Sequence, residues 1–236
     1  MIRLHALVEG QTEEAFFNRL LVPHLWSCGI QADVQLINPR TGSTSRRTKG
    51  GWNSYQVIRR HLSRWMGEDH GNNVWFTTMV DLYAIPRDFP KHDEAIGMAD
   101  PFRRVDFLEQ AWRDDVVTDG RWRFIPYVQL HEFEALLLAD PAKLDWEFLE
   151  HEAAIERLAA LSTAFETPEL IDDGPETAPS KRIIREIPEY GARKTSVGPL
   201  VADKIGLATL RARCPHFDAW IKSLEDIAGL EEGRTK

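Results

Sequence analysis

The chain has 236 residues, 37 of them acidic against 29 basic, and a formal net charge of −8. Hydrophobic residues at 43% and eight tryptophans exclude a disordered chain, and the length leaves room for one large α/β domain or one such domain with a helical extension. No apolar run approaches the roughly 20 residues that a bilayer-spanning helix needs. The N-terminus lacks the basic, apolar and small-residue segments of a signal peptide, so a soluble, cytoplasmic protein with no membrane partner is expected.

Cys28 and Cys214 are two and far apart, which points to neither a zinc site nor a disulfide framework. Acidic overall, the chain nevertheless segregates its charge. Residues 34–67 contain no Asp or Glu but hold Arg40, Arg46, Arg47, Lys49, Arg59, Arg60 and Arg64, and residues 179–213 hold eight basic residues against three acidic ones. Two cationic segments in an acidic chain suit a polyanion-binding surface, with DNA or RNA as the partner.

In chain order, Ile2 to Val8 is an apolar run that reads as a buried strand, followed by Glu9-Gly10-Gln11-Thr12-Glu13-Glu14 and then by Phe16, Phe17, Leu20 and Leu21 at helical spacing. In an open α/β sheet, ligands gather beyond the carboxyl ends of the strands, and Glu9 falls there, with Gly10 permitting a sharp turn. Thr12 reads as the N-cap, and Glu13 and Glu14 as solvated acids suited to the positive end of the helix. The stretch lacks the glycine and lysine pattern of a phosphate loop, and its own charge would repel phosphate, so an acid here suggests a cation.

Residues 32–37 alternate as a second strand. Residues 40–53 form a basic Gly/Ser/Thr loop, and Tyr55, Ile58, Leu62 and Trp65 then define a helix with Arg59, Arg60 and Arg64 toward its other side. Trp52 and Tyr55 are candidates for stacking on bases, Tyr55 more often being core at such spacing. Residues 73–80 read as a central parallel strand that ends in Asp81, a second strand-end acid. Tyr83 follows closely in a proline-stiffened loop, where Asp88, Asp93 and Glu94 read as solvated. Asp100-Pro101 caps a further helix.

Residues 122–130 read as a fourth strand, placed at an edge or bulged by Pro126, and ending at His131-Glu132-Phe133-Glu134. On a helix two residues diverge by about 200°, so only one of Glu132 and Glu134 is expected to point inward, and His131 reads as structural. Beyond residue 140 the pattern turns helical: residues 146–165, 199–205 and 216–224 are the expected helices. The fold class is therefore α/β, a mainly parallel four-stranded sheet flanked by helices, with residues 1–140 as core and 141–236 as a helical C-terminal extension. An acidic cluster without His/Cys spacing selects Mg²⁺ or Mn²⁺, hard ions that prefer oxygen, over zinc. Glu9 is the candidate general base or ligand, Asp81 a ligand, Glu134 or Glu132 the completing carboxylate, and Lys181 or Lys194 the group that stabilises a leaving oxyanion.

Glu9-Gly10-Gln11-Thr12-Glu13 after one strand, Val80-Asp81-Leu82-Tyr83 after another and Phe133-Glu134-Ala135-Leu136-Leu137 together resemble the Toprim fold, in a Toprim-like family found in prokaryotic phage-defence gene clusters. Residues 179–183 and Cys214-Pro215-His216-Phe217 with Trp220 are similar to that family as well. The resemblance implies a Glu after the first strand and an Asp-x-Asp after a later one, jointly binding Mg²⁺ for phosphodiester chemistry. Glu9 and Asp81 match, and Tyr83 stands where the second Asp would be. The overcoming-lysogenization-defect nucleases use acids beyond this pair, which favours Glu134. The implied function is a metal-dependent nuclease in anti-phage defence, partnered with an ATPase encoded nearby or with copies of itself. The alternative is a catalytically degenerate nucleic-acid-binding subunit.

Overall fold

The first strand decides the architecture, because it is buried on both faces. In β1 (Ile2–Val8) the residues Ile2, Leu4, Ala6 and Val8 face one apolar body while Leu7 joins a second on the opposite side. A strand apolar on both sides needs helices on both sides. The structure, a computed structural model, describes residues 1–37, 54–117, 123–171 and 176–232.

β1 pairs in parallel with β2 (Ile30–Leu36) and with β3 (Val74–Asp81), bringing Val8 level with Leu36 on one side and with Met79 on the other. The order is β2-β1-β3-β4, so β1 and β3 are the central pair. The fourth strand comes as two short pieces, β4 (Phe124–Ile125) and β5 (Val128–Gln129), both parallel to β3. Pro126, which has no N–H to offer, interrupts them. Two side chains of β3 repair the gap: the Thr77 hydroxyl donates to the Ile125 carbonyl at 2.6 Å, and the Thr78 hydroxyl accepts from the Tyr127 N–H at 3.0 Å.

α1 (Gln11–Phe16) runs through one wide turn (Phe17–Leu21) into α2 (Val22–Ser27). The wide turn lies just ahead of Pro23, whose ring would clash with the carbonyl four residues earlier in a regular helix. The helix begins at Gln11 with Gly10 as its cap and no side-chain capping bond. Thr12, expected as the N-cap, therefore sits inside the first turn. α3 (Tyr55–Glu68) and α5 (Pro101–Val116) cover the second face, with α4 (His92–Ile96) between them in sequence. Asp100 accepts from Phe102 and Arg103 as a cap, as its place before proline predicts. Asp88, expected to be solvated, caps α3 from outside by accepting from the Ser54 hydroxyl at 2.6 Å and the Tyr55 N–H at 2.9 Å.

After α6 (Glu134–Leu137) the described residues are helical: α7 (Glu152–Thr163), α8 (Pro179–Glu186), α9 (Tyr190–Ile205), α10 (Leu207–Arg213) and α11 (Pro215–Glu232). The helix expected from residue 146 starts at Glu152 instead, since a 3₁₀ turn occupies Pro141–Trp146 and Glu150 takes a left-handed φ of 64°. These helices share one apolar body with β1 and α1, to which Leu144, Leu158, Tyr190, Phe217 and Leu224 contribute. No described helix is long and apolar enough to cross a membrane.

The tail residues from Cys214 to Trp220 fasten α11 to the sheet. The Tyr127 ring stacks with both His216 and Trp220, at 5.2 Å and 4.2 Å between ring centroids, and the Trp220 indole N–H donates to the Thr77 hydroxyl at 2.9 Å. The fully buried carboxylate of Glu169 accepts from the N–H groups of His216 and Phe217, two amides of the first turn that have no partner within the helix. Replacing Glu169 with alanine leaves both amides buried and unsatisfied. We expect this to lower unfolding free energy by roughly 3 kcal/mol in a denaturant titration.

Candidate active site

Parallel pairing of β1 with β3 carries both strand ends to one rim of the sheet. The Glu9 N–H continues the ladder by donating to the Met79 carbonyl at 3.1 Å, and the Glu9 carboxylate in turn accepts from the Asp81 N–H at 3.1 Å. Residues 72 positions apart are thereby joined. One oxygen of Asp81, Oδ1, is buried and has no hydrogen-bond partner.

Glu13 belongs to the same cluster and is only 7% exposed, contrary to the expectation that it is a solvated helix-dipole acid. Gly10 accounts for this. Its φ of −147° is one that any residue adopts, so the turn does not require glycine. What requires it is space, since a Cβ at Gly10 would lie 3.1 Å from the Glu13 carboxylate oxygen Oε2. A clue lay in the sequence: Glu13 is the third residue of the helix, where an acid can reach back toward the cap N–H.

Glu132 and Glu134 arrive from the edge strand. His131 takes a left-handed φ of 64°, which breaks the extended chain, and α6 starts only at Glu134. Glu132 therefore lies ahead of the helix, the two acids are not related by a helical turn, and both serve the cluster. Glu132 accepts from the Ser180 N–H in the first turn of α8 at 3.0 Å. Glu134, 3% exposed, accepts from the Tyr190 hydroxyl and from the Lys194 ammonium, each at 3.0 Å. Lys194, on α9, is thus the lysine at the cluster. Lys181 points outward and is exposed, because Ser180 beside it turns toward the acids. α9 comes close because Gly198 has no side chain: a Cβ there would meet Phe133 at 3.2 Å, the Tyr190 hydroxyl at 3.4 Å and Thr12 at 3.5 Å.

Burial together with like charge governs the electrostatics. Burial, assisted by the charge of Glu132, lifts Glu9 to a pKa of about 7, against the pull of the Asp81 N–H. Burial and the charges of Glu9 and Glu134 lift Glu13 to about 7. Asp81 is pushed well above the usual carboxylate range by burial and by all four glutamates. Burial raises Glu134 as well, although Lys194 opposes the rise. For Lys194 burial works against the ammonium, but Glu134, Glu132 and Asp81 outweigh it and hold its pKa above the ordinary lysine value.

This donor set fits a hard divalent cation. Every candidate ligand is a carboxylate oxygen, the acids outnumber the neighbouring ammonium, and Asp81 Oδ1 is a buried acceptor that nothing satisfies. Glu9, Glu13, Asp81, Glu132 and Glu134 are the residues that could hold such an ion. Among the described residues the triads that bring one ligand atom each within 4.8 Å of one another are Asp106-Glu109-His216 and His24-Cys28-Glu225, and the rim acids do not form such a group. The Glu225 carboxylate is already gripped by both terminal nitrogens of Arg211, and Glu109 already binds His216 and the Val128 N–H. Cys28 and Cys214 are both free thiols.

The proposed basic surface divides. Arg40, Arg46, Arg47 and Lys49 lie outside the described residues, as does Trp52. The residues that flank them are at the acidic rim: the Ile37 N–H donates to the Val8 carbonyl at 2.9 Å, and Ser54 is tied to Asp88 in the loop that follows Asp81. Arg59 donates to Asp115 at 2.8 Å, which occupies it structurally, whereas Arg60 and Arg64 are exposed on α3. Tyr55 is 2% exposed and donates to Asp115 at 2.6 Å, so it is core and not a stacking platform.

A mainly parallel sheet with helices on both faces and a cluster of acids at its carboxyl rim defines an α/β protein. The chain belongs to the family described as a domain of unknown function (DUF4276), whose profile matches residues 8–225. Among solved structures it is similar to the C-terminal region of the OLD protein of Burkholderia pseudomallei, at 16% identity and a TM-score of 0.44 over 95% of this chain and 96% of that one. It is also similar to the C-terminal region of the Xanthomonas campestris pv. campestris OLD protein, at 17% identity and a TM-score of 0.40 over 99% of this chain and 98% of that one. No curated protein matches the sequence significantly.

The raised acids set the sign of a pH effect. Glu9 and Glu13 in the fold keep their protons up to pH about 7, while the unfolded chain releases them near 4.5. Their contribution therefore favours the fold below pH 4.5 and is lost as pH rises through about 7. We expect the unfolding free energy to fall across that window in metal-free buffer, by roughly 3 kcal/mol, and Glu13→Gln to flatten the fall. A profile unchanged by that substitution would contradict the assignment.

Proposed function

We propose that the protein is a divalent-metal-dependent nuclease that hydrolyses phosphodiester bonds in DNA or RNA. The observation that carries the reading is the direct link between Glu9 and Asp81, around which Glu13, Glu132 and Glu134 gather at the carboxyl rim of a parallel sheet. Two buried and three partly buried acids in one place destabilise the fold in the absence of a cation, and a site that tolerates this cost has a use for their charge.

Bound there, Mg²⁺ or Mn²⁺ would supply Lewis acidity and a counter-charge for phosphate. Asp81, Glu134 and Glu132 would hold it. Glu9, at the strand end beside Asp81, would be placed to accept a proton from an attacking water. Lys194 orients Glu134 and places a positive charge beside the acids, where it steadies the negative charge that develops on the leaving oxygen. The role expected of Lys181 or Lys194 thus falls to Lys194 in this reading. Arg60, Arg64 and the basic residues of segment 38–53 supply the contacts to the polyanion. Action in anti-phage defence, an ATPase partner and self-association are parts of the proposal that rest on the resemblance of the motifs alone.

Purified protein incubated with plasmid, single-stranded DNA and tRNA in Mg²⁺ or Mn²⁺ provides the test. Cleavage should fall by at least about a hundredfold in Glu9→Gln and in Asp81→Asn. Cleavage that survives both substitutions would place the activity elsewhere. Lys194→Met should lower turnover with little change in KM, because its charge acts on the transition state rather than on the bound substrate.

A second reading, a nucleic-acid-binding subunit that no longer cuts, is favoured by Tyr83, which stands where the motif resemblance places another Asp. If four phosphates are contacted, log affinity for duplex DNA should fall against log salt with a slope of about −3.6. Such binding without metal-dependent turnover would select this reading.

A further inference from the structure

Tyr83 is a partly exposed aromatic residue in the turn that follows Asp81. It is 45% exposed, in contrast to Tyr55, Tyr127 and Tyr190, which are buried. It lies in the 3₁₀ turn Leu82–Ala84, two residues beyond Asp81, so its backbone is at most about 7 Å along the chain from a site acid.

Its position is held from both backbone and ring. The Tyr83 N–H donates to the His131 carbonyl at 3.3 Å, and the His131 ring lies against the phenol ring with centroids 5.7 Å apart. His131 is also the residue with the left-handed φ of 64° from which Glu132 and Glu134 depart. One unfavourable backbone conformation thus serves two ends, aiming the late acids inward and supporting an exposed ring at the rim. A tyrosine here cannot add a hard ligand to the acids as an aspartate would, but it presents a flat apolar surface one nucleotide's reach from them.

We propose that Tyr83 is the platform on which an unpaired base next to the reacting phosphate stacks, so that the site takes single-stranded or locally unpaired nucleic acid in preference to intact duplex. The inference rests on the nuclease reading for the identity of the polymer. Bases within a duplex have both faces covered by their neighbours, and only an unpaired base can lay a face on the ring without first being unstacked. Stacking is also tolerant of sequence, since every base has a π face, and this accords with a phosphate-centred site that reads no base edge.

The test separates binding from turnover. A single-stranded oligonucleotide carrying 2-aminopurine is titrated with the full-length protein in Ca²⁺, and cleavage of single-stranded and duplex substrates is measured separately in Mg²⁺ or Mn²⁺. The wild-type protein should quench the probe. Tyr83→Ala should bind roughly tenfold more weakly or worse and lose the quench, while Tyr83→Phe keeps both and duplex binding is unchanged. The slope of affinity against salt should be the same in all three proteins, because no phosphate contact is removed. Thermal melting of Tyr83→Ala, expected to match wild type for so exposed a side chain, guards against a folding defect.

Tight binding and full quench in Tyr83→Ala, or equal affinity for duplex and single strand, would overturn the platform. If Tyr83→Ala loses the quench but the wild-type protein cleaves nothing in either metal, the nuclease reading falls while the platform stands. If the wild-type protein cleaves and Tyr83→Ala cleaves single strands with unchanged KM, the platform falls and the nuclease reading stands. Failure of the wild-type protein to bind any oligonucleotide removes both.

Discussion

Everything at the rim depends on a single backbone hydrogen bond, the one from the Asp81 N–H to the carboxylate of Glu9. Two carboxylates at adjacent strand ends repel each other, and burial makes the repulsion larger because little water screens it. The fold holds them together by giving one acid the amide of the other as its partner. Parallel register makes this contact available, for Val8 lies opposite Met79 and the Glu9 N–H donates to the Met79 carbonyl, which brings the Glu9 side chain to the Asp81 amide. With Ile2, Leu4, Ala6 and Val8 all in one apolar body, β1 cannot slip by one residue without exposing that row of core side chains.

The remaining parts of the cluster come from far along the chain, and each is delivered by a local departure from ideal structure. Gly10 makes room for the Glu13 carboxylate, the left-handed His131 puts Glu132 and Glu134 on the inside, and Gly198 lets α9 approach until Lys194 reaches Glu134. The tail motif around His216 contributes at one remove. It clamps Tyr127, and Tyr127 belongs to the broken edge strand that leads directly into His131. The helical segment after residue 140 thus completes the site and shares a core with the sheet.

Much of the sheet was legible in the sequence because its signals are short in range. Period-two and continuous apolar runs marked β1, β2 and β3 to within two residues, Asp100-Pro101 marked the start of α5, and Pro126 marked the break in the edge strand. The same local reading misplaced the start of α1 at Thr12, drew one long helix across Glu150, and took Glu13 for a solvated acid. In each case a contact or backbone angle set by the folded chain outweighed the propensity.

The amino-acid sequence alone determined which acids end the central strands, since hydrophobic periodicity and a following turn are written in neighbouring residues. It could not determine which further charges are buried beside them. Whether Glu13 faces water or the site, whether Lys181 or Lys194 answers Glu134, and whether Glu132 and Glu134 both point inward were decided by tertiary packing alone. The physical reason is that the ionisation and direction of a charged side chain depend on what lies within a few ångströms of it, and those neighbours come from distant helices, as Lys194 on α9 acts on Glu134, Glu132 and Asp81.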